Sequence, residues 1–188
     1  GYVQGRSRAE TRAARKAGVE LRDVPSFPDA PGYIEAMAAR LLPLIEADTR
    51  VLFSAHGLPM RTIDRGDPYL DEVGRTVTAL RRLLPAGTVA SLAFQSRVGR
   101  MVWTGPNVVA EVERLAREGA RRLVVVPISF VCENLETVHE LDLELAEHAR
   151  SLGIESFARV PTPGCHPAFV RELADRVRAV ADSAGWEL

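Results

Sequence analysis

The segment between Leu123 and Glu144 limits the possible folds more strongly than any other part of the chain. It begins with consecutive aliphatic residues, Leu123 to Val126, which is typical of a parallel β-strand covered on both faces. Pro127 ends this strand, and Asn134 is suited to cap a following helix. Apolar residues then recur at helical intervals of three or four: Leu135, Val138, Leu141, Leu145 and Ala149. The segment therefore predicts a buried strand followed by an amphipathic helix.

The same succession of strand and helix repeats along the rest of the chain. Strands are predicted at residues 50–54, 88–94, 123–126 and 154–160. Helices are predicted at residues 33–47, 69–84, 108–119, 134–152 and 168–182. Pro43 is expected to interrupt the first of these helices. The alternation predicts an α/β fold in which about four parallel strands, joined by right-handed crossovers, carry helices on both faces.

Composition excludes several classes of protein and of site. The length of 188 residues suits one domain, and the net charge of −1 gives no indication of nucleic-acid binding. No apolar run approaches the ~20 residues that a membrane-spanning helix needs, which leaves only peripheral membrane contact. Cys132 and Cys165 do not form a CxxC pair, so neither a structural zinc site nor an iron–sulfur cluster is expected from this chain. Reduced thiols of this kind indicate a cytoplasmic protein.

The first 23 residues are polar and rich in Arg and Ala, unlike the remainder. They predict an amino-terminal arm ahead of a lobe formed by residues 24–188. Within and after this arm, a helix is expected at residues 9–17, where Gly18 would end it. Residues 19–27 could hold a short strand.

His56 follows the first strong strand, in the sequence SAHG. Open α/β sheets bind ligands at the carboxyl ends of their strands, so this position directs an imidazole toward the expected crevice. Histidine titrates near neutral pH, and it can therefore move a proton or, when neutral, bind a metal. The alternative is a loop histidine that caps a helix or bonds to a backbone carbonyl group.

Three glutamates, Glu136, Glu140 and Glu144, recur every four residues on the predicted helix after the third strand. Like charges at this spacing oppose each other by roughly 0.2–0.5 kcal/mol per pair, and a cation would relieve the repulsion. Glu136 lies in the first turn, so it can pair with His56 to hold a divalent first-row metal transiently. A solvated acidic helix face is the alternative.

Three apolar side chains are expected near the same crevice, namely Met101, Trp103 and Phe130. Such walls suit a flat aromatic ligand. Ordinary core packing is the alternative for each of them.

Four sequence blocks, taken together, resemble the ferrochelatases, enzymes that insert ferrous iron into a porphyrin to make haem. The blocks follow the order of that family: PGYIEAMA (31–38), FSAHGLP with GDPY (53–59 and 66–69), AFQSRVGRMVWTGP (93–106) and VVVPISFVCENLETVHELDLE (124–144). Their order and spacing make the resemblance specific, and it covers roughly residues 24–180. The FQS and ENLET blocks favour this family over chelatases of the sirohydrochlorin type.

The resemblance implies a lyase of haem and porphyrin biosynthesis, with Fe²⁺ as substrate, no prosthetic group, and protoporphyrin IX or coproporphyrin III as the second substrate. It implies two Rossmann-like lobes with a porphyrin cleft between them. His56 and Glu136 match residues that bind iron and accept pyrrole protons, and Glu140 and Glu144 match an acidic row that conducts metal. Five residues match the porphyrin-binding wall: Ser54, Gln95, Ser96, Arg97 and Trp103.

Two departures from the family pattern shape the expectations. The chain has Asn134 where most relatives have a histidine, so a secondary metal or proton role there is in doubt. The motifs of the first lobe are absent, which implies a carboxyl-terminal lobe whose residues 1–23 are an arm or a remnant of the first. The expected partners are porphyrin, ferrous iron, and either the missing lobe or a second copy. The alternatives are a non-catalytic lobe that binds metal or tetrapyrrole, a homodimeric sirohydrochlorin-type chelatase, and an α/β domain that has lost the chemistry.

Overall fold

The four strands form one parallel sheet in the order β2-β1-β3-β4. A computed structural model describes residues 8–97 and 99–186. The strands are β1 (Thr49–His56), β2 (Val89–Gln95), β3 (Arg122–Pro127) and β4 (Ser156–Arg159). The helices are α1 (Arg8–Lys16), α2 (Pro31–Leu41), α3 (Met60–Ile63), α4 (Tyr69–Arg81), α5 (Val108–Arg117), α6 (Ala146–Ser151) and α7 (Pro167–Ala184), with a 3₁₀ turn at Leu42–Leu44 and a π-helical segment at Glu136–Leu145. The predicted four-stranded parallel α/β lobe is confirmed.

Alternate residues of the central strand β1 pack against different layers of helices, as the pleat of a strand requires. Val51 and Phe53 lie in a cluster with α2, α4 and α7. Leu52 lies in a second cluster with α5, the π-helical segment and α6. Helices therefore cover both faces of the sheet, as predicted.

The boundaries near the amino end differ in part from the prediction. Helix α1 agrees with the expected helix, whereas the first seven residues of the predicted arm lie outside the described part of the chain. Helix α2 ends at Leu41 because Pro43 interrupts it, as expected, and a 3₁₀ turn follows. The predicted strand within residues 19–27 is wrong. Phe27 instead packs against Phe169 of α7, with a ring-centroid distance of 6.3 Å, so this segment runs over a helix rather than along the sheet.

The helix after β3 begins as a π-helix, which the apolar spacing did not predict. Asn134 caps it as expected, because its Oδ1 accepts a hydrogen bond from the Thr137 N–H at 3.1 Å. Leu135 and Val138, predicted to face the core, are 76% and 44% exposed. A π-helix has i→i+5 hydrogen bonds and a wider turn than an α-helix, so residues four apart share a face here. Residues Thr137, Leu141, Leu145 and Ala149 are buried at this spacing, together with Ala146.

Strand order places the carboxyl end of β1 at a topological switch point. The chain passes from β1 to β2 on one side and then crosses β1 to reach β3 on the other side. At such a point the connections leave in opposite directions and open a crevice above the strand ends. His56 is the last residue of β1, and Ser129 and Phe130 follow β3. The fold therefore brings the loop after β3 to the side of His56.

An ion pair on α5, between the buried Glu111 and the partly exposed Arg114, gives the fold a pH-dependent contribution to stability. Arg114 donates two hydrogen bonds to Glu111 at 2.7 and 3.0 Å, and these bonds lower the pKa of the Glu111 carboxyl although its burial opposes the shift. We expect Glu111→Gln to lower the free energy of unfolding by about 1–2 kcal/mol at pH 7. Below the unfolded pKa of about 4.3 the wild type progressively loses this stabilisation, so the difference should vanish as the pH falls through the lower folded pKa.

Urea unfolding at stepwise pH between 7 and 3 measures this effect. Glu118→Gln is the matched control, because Glu118 bonds to the same guanidinium but its side chain is 55% exposed. Its removal should cost less than about 0.5 kcal/mol. A constant difference between wild type and Glu111→Gln across the pH range would contradict the prediction.

Candidate active site

His56 and Glu136 meet at the switch point, although they are 80 positions apart in the sequence. The His56 Nδ1 lies 3.0 Å from Glu136 Oε2, and the side chains are 29% and 36% exposed. An ionised carboxylate can only accept a hydrogen bond, so Nδ1 carries the proton and donates it. The lone pair of Nε2 is then available to bind a metal or to accept a proton. The structure thus brings the two predicted central residues into direct contact.

The main chain of His56 is held by two hydroxyl groups. Its N–H donates to Ser129 Oγ at 2.7 Å, and its carbonyl oxygen accepts a bond from the Tyr69 hydroxyl at 2.7 Å. Burial raises the pKa of Tyr69 to about 12, which keeps this hydroxyl protonated as a donor. The ring of Phe130 packs edge-on against the imidazole with a centroid distance of 6.3 Å. These contacts fix the position and the orientation of His56.

Sequence reasoning missed the roles of Tyr69 and Ser129. Tyr69 ends the GDPY block, whose composition suggested only a helix start. Ser129 stands in a loop without a motif of its own. Gly57 follows His56 in the chain. The structure requires glycine at this position, because a Cβ there would lie 2.7 Å from the Gln95 carbonyl oxygen. The strand ends of β1 and β2 are too close for any other residue at this position.

Gln95 connects the sheet to the π-helical segment. It accepts a bond from Ser54 Oγ at 2.7 Å and donates through Nε2 to the Glu136 carbonyl oxygen at 3.0 Å. Ser54 and Gln95 are only 0% and 1% exposed. The pair supports the main chain of Glu136 from beneath, and its role in binding a porphyrin stays a prediction.

Glu140 is held by the residue that follows Gln95. Ser96 Oγ donates to Glu140 Oε2 at 2.8 Å, and Ser96 has a φ of +61°, a conformation that is uncommon for residues other than glycine. Such backbone strain persists only where its surroundings enforce it, and it often lies at functional sites. Glu140 and Glu144 both line a surface pocket of about 410 Å³. Two members of the predicted acidic row therefore share one pocket, which Ser96 and Arg97 after β2 also line.

The remaining histidines have partners outside the central pair. His139 lies 3.2 Å from Glu144, and His148 lies 3.2 Å from Glu113 on α5. His166 accepts a bond from the Ala168 N–H and caps α7.

A second pocket, of about 260 Å³, adjoins His56 and includes Met101 and Trp103. The indole N–H of Trp103 is buried and has no hydrogen-bond partner within residues 8–97 and 99–186. Arg97 donates to the Thr104 carbonyl oxygen at 2.6 Å and so fastens the loop that carries Trp103. Met101 is 43% exposed. The predicted apolar wall thus lies beside the His56–Glu136 pair, together with Phe130.

The described residues contain no group of three or more His, Cys, Asp or Glu side chains arranged to hold a metal ion. Cys132 and Cys165 are both exposed and free. Within the described ranges, no helix combines the length and the hydropathy needed to cross a bilayer. The His56–Glu136 pair offers nitrogen and oxygen ligands of the kind that divalent first-row metals accept.

Comparison with known proteins agrees with this geometry. The family model described as Ferrochelatase matches residues 4–181. A ferrochelatase of Nostoc sp. (strain PCC 7120) is 41% identical over 176 residues, which is 90% of this chain and 45% of that protein. A ferrochelatase of Phenylobacterium zucineum is 39% identical over 186 residues, which is 96% of this chain and 54% of that protein. The chain spans about half the length of these curated relatives.

The fold is also similar to a solved structure of SirB from Bacillus subtilis with Fe³⁺. The TM-score is 0.65, and the match covers 94% of this chain and 65% of that chain at 18% sequence identity. At that identity the similarity supports the fold alone. The family match, which extends over nearly the whole chain, carries the assignment: this chain belongs to the ferrochelatase family.

Proposed function

We propose that the chain is the carboxyl-terminal lobe of an enzyme that inserts Fe²⁺ into protoporphyrin IX or coproporphyrin III. The contact between His56 and Glu136 at the switch point is the observation that carries this proposal. It joins a base and a carboxylate at the mouth of an apolar pocket, which is the chemistry that metal insertion requires. Residues 1–23 would then belong to an arm or to the end of a first lobe.

The incoming iron is bound by His56 Nε2 and by the Glu136 carboxylate. Glu140 and Glu144 line the neighbouring pocket, and they supply negative charge along a route between solvent and the pair. Attraction between opposite charges is strongest where water is excluded, so the half-buried Glu136 holds the cation more firmly than the exposed Glu144. The acidic row thus favours movement of a cation toward the pair.

The porphyrin lies against the wall formed by Met101 and Trp103, with Ser96 and Arg97 at its edge. Distortion of the ring toward the reacting geometry costs ~1–5 kcal/mol, which contacts remote from the nitrogens offset. Insertion of Fe²⁺ releases two pyrrole protons. Once the iron has passed from His56 to the pyrrole nitrogens, Nε2 accepts one of these protons while Glu136 stabilises the resulting imidazolium through Nδ1–H, and the second proton passes to solvent water. We place this reaction in the cytoplasm.

The cleft needs a second wall, which we propose comes from a first lobe or from a second copy of this chain. Zinc insertion into a dicarboxylate porphyrin, followed by absorbance at several protein concentrations, tests both the activity and the source of the wall. A rate per chain that rises steeply with concentration supports a site shared by two copies. A rate per chain independent of concentration supports a self-sufficient lobe.

If metal binds but no porphyrin is metallated at any concentration, the chain alone is not the enzyme. The non-catalytic interpretation would then be favoured, and addition of a first lobe from a relative would be the next measurement. A homodimeric chelatase of the sirohydrochlorin type is the second candidate, because a single lobe could complete its cleft with a second copy of itself. Turnover of sirohydrochlorin in preference to the dicarboxylate porphyrin would favour it.

A further inference from the structure

Arg159 is the last residue of β4. All three nitrogens of its guanidinium group bond to carboxylates in or just before the π-helical segment that carries the acidic row. Its Nε and Nη2 donate to the two carboxylate oxygens of Asp142 at 2.6 and 2.8 Å. Its Nη1 donates to Glu133 at 3.1 Å. The Arg159 side chain is only 10% exposed, so these bonds form largely away from water. Fork-shaped guanidinium–carboxylate pairs of this kind fix orientation as well as distance.

Glu133 extends the network to the residues after β4. It accepts bonds from the Thr162 N–H at 2.8 Å and from the Thr162 hydroxyl at 3.0 Å. It also accepts a bond from the Thr137 hydroxyl at 2.8 Å. Burial opposes ionisation of Glu133, but these donors and Arg159 outweigh it and lower the pKa of the carboxyl. Arg159, Glu133, Asp142, Thr137 and Thr162 are called the Arg159 clamp below.

Glu136 lies between the two carboxylates that Arg159 holds. On the opposite side, the same segment is held by Gln95, which bonds to the Glu136 carbonyl oxygen, by Ser96, which bonds to Glu140, and by His56, which contacts Glu136. Three of the four strand ends of the sheet thus contact one short π-helical segment. We propose that Arg159 is a positioning residue, which holds this segment in the register that directs Glu136 to His56 and Glu140 to Ser96. The functional part of this inference rests on the proposed metal insertion.

Amide hydrogen exchange tests the structural part without any activity. Arg159→Met removes the guanidinium, and Arg159→Lys keeps the charge but loses the fork. The matched control is Arg122→Met on β3, which removes an exposed ion pair with Glu46. We expect Arg159→Met to exchange at least tenfold faster in Glu136–Leu145, with α5 unchanged, Arg159→Lys intermediate and the control like wild type. If Glu136–Leu145 exchanged at the wild-type rate in both Arg159 variants, the proposal that Arg159 holds this segment would be overturned.

Steady-state kinetics of zinc insertion test the positioning role. Arg159→Met and Arg159→Lys should lower kcat, the former at least tenfold, while the porphyrin KM stays within twofold, because Arg159 does not line the apolar pocket beside His56. Circular dichroism confirms that each variant is folded. If Arg159→Met does not fold, the kinetics of Arg159→Lys provide the test. Faster exchange with an unchanged kcat would overturn the positioning role. If the wild type inserts no zinc, either alone or with a first lobe from a relative added, the proposed function fails, while the exchange comparison still confirms or overturns the clamp.

Discussion

Replacement of His56 by alanine is expected to abolish metal insertion and to leave the fold intact. The imidazole supplies both a metal ligand and the base, and loss of a positioned base alone lowers a rate by typically 10²–10⁴-fold. The main-chain bonds of position 56 to Ser129 and Tyr69 do not depend on the side chain. The free energy of unfolding should therefore change by no more than about 1 kcal/mol.

The measurement is zinc insertion at a protein concentration where the wild type turns over, together with urea unfolding. His166→Asn is the matched control: His166 caps α7 through its side chain, and asparagine is itself a good helix cap. This control should keep wild-type activity and stability. Wild-type turnover in His56→Ala would remove His56 from the mechanism and with it the main support for the proposed function.

Replacement of Glu136 by glutamine is expected to have the second largest effect. The substitution keeps the shape of the side chain but removes the charge that attracts a cation and stabilises protonated His56. A partner that orients and polarises a metal-binding histidine is typically worth 10–100-fold in metal affinity or activity, and Glu136 is in addition proposed to bind the metal. We therefore expect turnover to fall by at least about 100-fold, with weaker binding of Zn²⁺.

Zinc titration and turnover of the single and double variants measure this effect. Because His56 and Glu136 act through one hydrogen bond, their effects should be strongly non-additive, and the double variant should be little worse than His56→Ala. Glu147→Gln is the control, since Glu147 is exposed on α6 of the same helical region. Additive effects of the two substitutions would indicate that the residues act in separate steps.

The central pair was predictable because its members stand at recognisable places in the sequence. His56 ends a strand of consecutive apolar residues, and Glu136 begins a helix after another such strand. The carboxyl ends of neighbouring parallel strands meet at one edge of a sheet, so strand order alone brings the two together. No side-chain geometry was needed for this inference, whereas their roles in iron binding stay predictions.

The supporting contacts could not be predicted in the same way. Arg159 and Asp142 are 17 positions apart, and Tyr69 and His56 are 13 positions apart. Nothing in the composition of either neighbourhood indicates these pairings. They form because Arg159 at the end of β4 and Tyr69 at the start of α4 both reach the carboxyl ends of the strands in the folded chain. Such contacts depend on the tertiary arrangement and not on local periodicity.

The π-helical segment shows a different limit of prediction from hydrophobic spacing. Leu135 and Val138 fit the α-helical spacing, and the expected core face included both. The wider turn of a π-helix instead buries residues four apart, such as Thr137 and Leu141, and the contacts of Gln95 and the Arg159 clamp hold that turn in place. Hydrophobic spacing thus located the helix correctly, but it assigned two of its side chains to the wrong face.

The attachment of position 56 by its main chain has a consequence for redesign. Ser129 and Tyr69 form hydrogen bonds with the main-chain N–H and carbonyl oxygen of residue 56. The position of this residue is therefore fixed independently of its side chain. Position 56 can in this sense carry side chains with different metal-binding atoms. A thiolate or thioether placed there would project from the same main-chain position and would shift preference toward softer metals. A lobe of this kind is therefore a starting point for chelatases with altered metal selectivity.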